Sequence, residues 1–122
     1  VVIDYLKDAF PFGGMEMLNP IVDEGPNISL ITKMEVLAFN YEFANEQIAV
    51  EDFVNGSAIL VISDEIVYKT ILIKKTGRIK LPDAIIAATA IVNRLILITR
   101  NIKDFSKIRD LKIIDPFTAS GY

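Results

Sequence analysis

The chain has 122 residues and a formal net charge of −3, with no histidine and no cysteine. Such a chain can bury one core. It builds no disulfide framework and no imidazole or thiolate metal site, and it lacks the bulk positive charge of an electrostatic nucleic-acid binder. Any chemistry falls to its carboxylates, which suit hard cations such as Mg²⁺ or Mn²⁺.

Apolar residues make up 52% of the chain, yet no apolar run approaches the ~20 residues that span a bilayer. Neither a signal peptide nor a lipidation motif is visible, so a cytoplasmic location without membrane association is expected. Residues 1–122 read as one domain, with no repeat, linker or low-complexity tract.

Val1 to Lys7 has helical apolar spacing and begins without a Met, so the start reads as cut from something longer. Pro11, Gly13 and Gly14 break it; Met15 to Val22 reads as a short helix and Asp23 to Pro26 as a turn. Asn27 to Ile31 reads as a strand and Thr32 to Phe39 as a helix. A second helix is expected from Asn45 to Phe53, before Asn55-Gly56. Ala58 to Ile62 is the next strand, and Ser63 or Asp64 caps a helix that ends at Gly77. Pro82 opens a helix that runs to Val92 and closes at Asn93. Leu95 to Thr99 is the clearest strand, Asn101 to Phe105 a turn, and Lys112 to Ile114 a last strand. Strands and helices alternate over short connections, which is the pattern of an α/β domain with a parallel sheet. Phe10, Phe12, Phe39 and Phe43 read as core rather than as contact surface.

Three acids carry the chemical interest. Asp83 lies in the opening turn of its helix, where the helix field favours an anion by ~0.3–1 kcal/mol. Glu35 follows a strand, and Thr32-Lys33-Met34-Glu35 also fits an S/T-x-x-E capping box. Asp104 and Asn101 lie just past the strongest strand, where side-chain bonding to a turn would explain them equally well. Each has an ordinary explanation, but all three acids map near the carboxyl edge of a parallel sheet, where open α/β sheets bind ligands. Converging carboxylates repel, and a divalent cation relieves that repulsion. Two basic clusters, one of Lys74, Lys75, Arg78 and Lys80 and one of Arg100, Lys103, Lys107 and Arg109, are either solvated faces or phosphate-facing groups.

Four segments together resemble a known family. They are Val1-Val2-Ile3-Asp4-Tyr5-Leu6-Lys7, Ile28 to Leu37, Leu81 to Ala90, and Thr99-Arg100-Asn101 with Asp104-Phe105. The chain resembles a PIN domain, and within that superfamily a VapC-like toxin ribonuclease of type II toxin–antitoxin systems. The resemblance implies a three-layer α/β/α fold around a central parallel sheet. It implies a Mg²⁺- or Mn²⁺-dependent endoribonuclease, with the metal-binding acids falling on Glu35, Asp83 and Asp104 and Asn101 completing the catalytic set. Thr32, Thr99 and Arg100 fall at positions that face substrate or phosphate. RNA substrate, a cognate antitoxin that places an Arg among the acids, and a homodimer are implied on the same ground.

The family also begins with a strand ending in Asp, which does not precede Val1 here. The chain lacks its true N-terminus, or it is an inactive or partial copy, or Val1-Val2-Ile3-Asp4 is that strand and Asp4 the first acid. The first reading fits best, because Asp4-Tyr5-Leu6-Lys7 matches the family's first helix. Two other functions compete with the nuclease. One is a catalytically inactive PIN-like interaction module. The other is a phosphate-handling domain of flavodoxin or receiver type, which the absence of a Gly-rich phosphate loop disfavours.

Overall fold

The computed structural model describes residues 26–99 and 101–115. The expectations for Val1 to Val22 (Asp4, Phe10 and Phe12 among them) and for Arg100 lie outside those residues. The described residues fall into two compact units, 26–60 and 61–115.

The first unit runs β1 (Asn27–Ser29), α1 (Leu30–Ala38), α2 (Ala44–Asn55) and β2 (Ala58–Leu60). β1 and β2 pair in parallel, with Asn27 opposite Ala58 and Ser29 opposite Leu60, and the two helices form the crossover that parallel pairing requires. The strand expected as far as Ile31 stops at Ser29, because the Ser29 hydroxyl accepts the Thr32 amide at 2.9 Å and starts α1 there. Thr32 is therefore already inside the first turn, where its hydroxyl accepts a bond from Ser29 at 2.9 Å. The capping box expected between Thr32 and Glu35 does not form, and Glu35 stands exposed on the second turn of α1.

Ile28, Val36, Val50 and Val54 are the buried centre of this unit, with Tyr41, Phe53 and Ile59 packed on it. The Tyr41 hydroxyl donates to the Val36 carbonyl at 2.8 Å, drawing the α1–α2 connection onto α1. Phe39 and Phe43 are not core residues as expected. They stand at the facing ends of α1 and α2 and are 46% and 58% exposed, while Tyr41 between them takes the inward position.

The second unit runs α3 (Asp64–Thr76), α4 (Leu81–Val92), β3 (Leu97–Ile98), α5 (Ile102–Phe105) and β4 (Ile113–Ile114). Ser63 caps α3 as expected, its hydroxyl accepting the Ile66 amide at 3.3 Å. α3 turns Ile66, Thr70 and Ile73 inward at i, i+4, i+7 spacing. α4 answers with Ala84, Ala87 and Ala88, all fully buried. Side chains this small let one helix lie close against the next, and Ile79 and Phe105 close the same cluster.

The far end of α4 is a Schellman motif, in which Leu95 N–H donates to the Ala90 carbonyl (2.8 Å) and Arg94 N–H to the Ile91 carbonyl (3.1 Å). Arg94 takes the left-handed conformation, φ 56°, that this motif demands. The strand expected from Leu95 to Thr99 is consequently shorter: the Leu95 amide is committed to the helix end, and only Leu97 and Ile98 pair in parallel with Ile113 and Ile114. Asn101 to Phe105, expected as a turn, contains a single helical turn capped by Asn101.

Both strand pairs are parallel and alternate with helices, so the chain is α/β as its pattern indicates. Among the described residues, no helix is long and apolar enough to cross a membrane.

Ile66 is 2% exposed at the centre of the α3–α4 cluster, so Ile66→Ala is expected to cost about 2–5 kcal/mol in chemical denaturation. Arg94 carries a left-handed backbone with a side chain. That costs roughly 1–2 kcal/mol, against about 0.5–1 kcal/mol for the extra chain entropy of a glycine. Arg94→Gly is therefore expected to raise stability by several tenths of a kcal/mol, read from the same denaturation curves.

Candidate metal centre

Asp83 owes its position to the start of α4. Lys80 precedes the helix with extended backbone and its carbonyl accepts the Ala84 amide at 2.9 Å. Leu81, Pro82 and Asp83 are then the first three helical residues. Pro82 lacks an N–H that would have no partner there in any case, and Asp83 sits among the free amides of the first turn. Because Ala84, Ala87 and Ala88 face α3, Asp83 is half-buried rather than free in solvent.

Asp104 arrives by a different route. β3 ends at Ile98, and the Thr99 amide extends the ladder to the Ile114 carbonyl at 3.0 Å. The buried Thr99 hydroxyl then accepts the Asn101 amide at 3.0 Å, which turns the chain sharply into α5. The Asn101 side chain works in both directions: its oxygen accepts the Asp104 amide at 3.4 Å and its Nδ2 donates to an Asp104 carboxylate oxygen at 3.0 Å. The turn explanation for Asn101 is thus correct. That turn also holds one oxygen of Asp104, leaving the carboxylate's other lone pairs for another cation or donor.

The two acids share one locality of the second unit. The pKa of Asp83 lies above the ordinary carboxylate value, first because burial disfavours its charge and second because the negative charge of Asp104 acts on it. Lys80 opposes both effects but does not cancel them. No described residue donates a hydrogen bond to the Asp83 carboxylate. Two carboxylates that act on one another, one of them partly desolvated and without a donor, are oxygen ligands of the kind a small divalent cation takes.

Glu35 belongs to the first unit, just beyond the carboxyl end of β1. Thr32 spends its hydroxyl on Ser29 in the first turn of α1. Among the described residues no three acidic side chains gather closely enough to hold a metal. Lys80 acts electrostatically on Asp83 and was not singled out as a site residue by the sequence, although its place three residues before an acid at a helix start is a readable sign. Ser29, which sets where α1 begins, is masked in the sequence by Thr32, which offers the more familiar capping pattern.

A family model of the PIN domain matches residues 26–111. The chain belongs to that family. The match spans β1 to the residues after α5 and so contains Glu35, Asp83, Asn101 and Asp104. Within the family this PIN domain is VapC-like. It is similar to a chain of a toxin–antitoxin complex from Klebsiella pneumoniae, with 32% identity over 94% of each chain and a TM-score of 0.71. A chain of VapBC-1 from nontypeable Haemophilus influenzae is 26% identical over 94% of this chain and 92% of that one, with a TM-score of 0.72. A chain of DNA-bound VapBC from Salmonella typhimurium shares the fold, with 24% identity over 93% and 91% and a TM-score of 0.77. No curated protein sequence matches the chain.

The raised pKa of Asp83 makes its charge a cost to the folded, metal-free PIN domain. A carboxyl whose native pKa exceeds its unfolded value stabilises the fold fully below the unfolded value, and that stability is lost as pH rises through the native one. In EDTA, Asp83→Asn is therefore expected to melt above wild type at neutral pH. The difference should shrink towards zero as pH falls below the ordinary value of 3.8. Thermal melts across pH 3 to 7 check this, the sign depending only on the direction of the shift.

Proposed function

We propose that this chain is the toxin of a toxin–antitoxin pair and acts as a Mg²⁺- or Mn²⁺-dependent endoribonuclease. The pairing of Asp83 with Asp104 carries the reading: Asp83 is partly buried, and the charge of Asp104, 21 positions on, acts on it, a combination that a bound divalent cation would relieve. Mg²⁺ is usually held by one or two carboxylates, with water and substrate phosphate completing its shell. The pair is therefore a sufficient share of ligands from this unit, and Asp83 and Asp104 would hold the ion. Held by Asp83 and Asp104, such an ion would supply water activation and charge neutralisation at the phosphate, which agrees with a chain that has no histidine to serve as base.

Asn101 keeps the Asp104 carboxylate in one orientation, and Thr99 fixes the turn that carries Asn101. Lys80 tempers the negative charge at Asp83. On the family resemblance, Glu35 takes the role of the second acid, Thr32 and Arg100 contact the substrate, and Asp4 stands in for the first acid only if Val1-Val2-Ile3-Asp4 is itself the first strand. RNA as substrate rests on the same resemblance. A cognate antitoxin as partner is supported by the likeness to chains of toxin–antitoxin complexes. A homodimer, a single domain over 1–122 and action in the cytoplasm complete the proposal.

Purified chain is expected to cut single-stranded or transfer RNA with Mg²⁺ or Mn²⁺, to stop in EDTA, and to lose cutting to background in Asp83→Asn. Mg²⁺ should also stabilise the wild type, by about 1.4 kcal/mol at ten times its dissociation constant, and leave Asp83→Asn unmoved. Cutting that survives EDTA overturns the metal reading. A chain that takes up Mg²⁺ but cuts no RNA is the inactive interaction module instead.

A further inference from the structure

The second unit holds a cleft of about 310 Å³ between α3 and the residues after α5. Lys69 and Arg78 approach it from α3 and the turn beyond, and Lys107 and Arg109 from the opposite side. None of these four side chains is engaged in a hydrogen bond or ion pair with another described residue. The acids on the cleft are Asp104, which Asn101 holds, and Asp110, which sits at a left-handed turn with φ 70°. Four cations against two anions leave a positive surface. This is notable in a chain whose overall charge is −3. It is also assembled rather than inherited from one run of sequence. Of the basic run before α4, Lys74 is consumed by the Ile79 carbonyl at 2.6 Å, while Arg78 reaches the cleft.

Asp104 belongs both to this cleft and to the acid pair. A strand with one phosphate at the pair therefore meets the four cations next. Unpaired Lys and Arg side chains along a groove are what a polyphosphate backbone needs, and their contacts hold a strand without reading its bases. Resting on the nuclease reading above, we propose that this cleft seats the phosphates of the RNA strand flanking the one at Asp83 and Asp104. Lys69, Arg78, Lys107 and Arg109 are its backbone contacts. They position the strand and take no part in the bond cleavage.

The test is equilibrium binding of a labelled twelve-residue oligouridylate to the full chain in EDTA, measured by anisotropy over a series of KCl concentrations. Arg78→Gln and Lys107→Gln are each expected to flatten the plot of log affinity against log salt by about 0.7, the share of one phosphate contact on a single strand. Lys75→Gln, on α3 but outside the cleft, should leave the slope unchanged. Asp83→Asn should keep the slope while losing cutting, which separates strand seating from chemistry. If wild type never cuts RNA yet the cleft variants lose slope, the nuclease reading fails and the cleft stands. Cleft variants that match Lys75→Gln in slope while wild type cuts RNA overturn the cleft proposal. So does a poly-glutamate peptide whose binding falls in those variants while oligouridylate binding does not, because the cleft then serves an acidic protein segment.

Discussion

The close packing of α3 on α4 is the constraint from which the second unit follows. Ala84, Ala87 and Ala88 present almost no side chain, and Ile66 and Ile73 of α3 share one buried cluster with them. That contact fixes both ends of α4. At its start it half-buries Asp83 beside the cluster, and at its finish the Schellman turn at Arg94 aims the chain into β3. β3 then delivers Thr99, Asn101 and Asp104 in succession. A larger residue at Ala87 or Ala88 would push the helices apart and displace the first acid relative to the second without touching either.

Asp83 and Asp104 are held against their mutual repulsion, and the surrounding structure supplies only partial relief. Lys80 lends positive charge from beyond the helix start, and Asn101 occupies one oxygen of Asp104. Hydrophobic burial of roughly 1.5–3 kcal/mol for each large core side chain easily tolerates one disfavoured carboxylate. The fold can thus keep a carboxylate that is unfavourable in isolation. The same economy governs the basic cleft, whose cations have no hydrogen-bond or ion-pair partner among the described residues.

Much of the fold was legible because punctuation and periodicity agree. Ser63 before α3, Pro82 in the first turn of α4 and Asn93 at its end all act as their chemistry suggests. Where structure and sequence pattern differ, two local devices compete. Ser29 and Thr32 both suit a helix cap, and the earlier one won because its hydroxyl reaches the Thr32 amide while its own residue still pairs in β1. Leu95 suited a strand, but its amide was claimed by the end of α4. Phe39 and Phe43 suited a core, and Tyr41 filled the inward place.

For the site, the sequence by itself determined the kind of chemistry: no imidazole and no thiol, an acid placed in a helix's first turn, and an Asn–Asp pair just past a strand. Those features are local, and residue type with spacing of a few positions specifies them. Only tertiary structure decided that Asp83 and Asp104 act on one another, that Lys80 belongs with them, and that Lys69, Arg78, Lys107 and Arg109 face one cleft. Coulombic interaction depends on distance through space, and distance between segments so far apart along the chain is set by tertiary packing, here Phe105 of α5 in one cluster with the alanines of α4 and the isoleucines of α3, which no short stretch of sequence encodes.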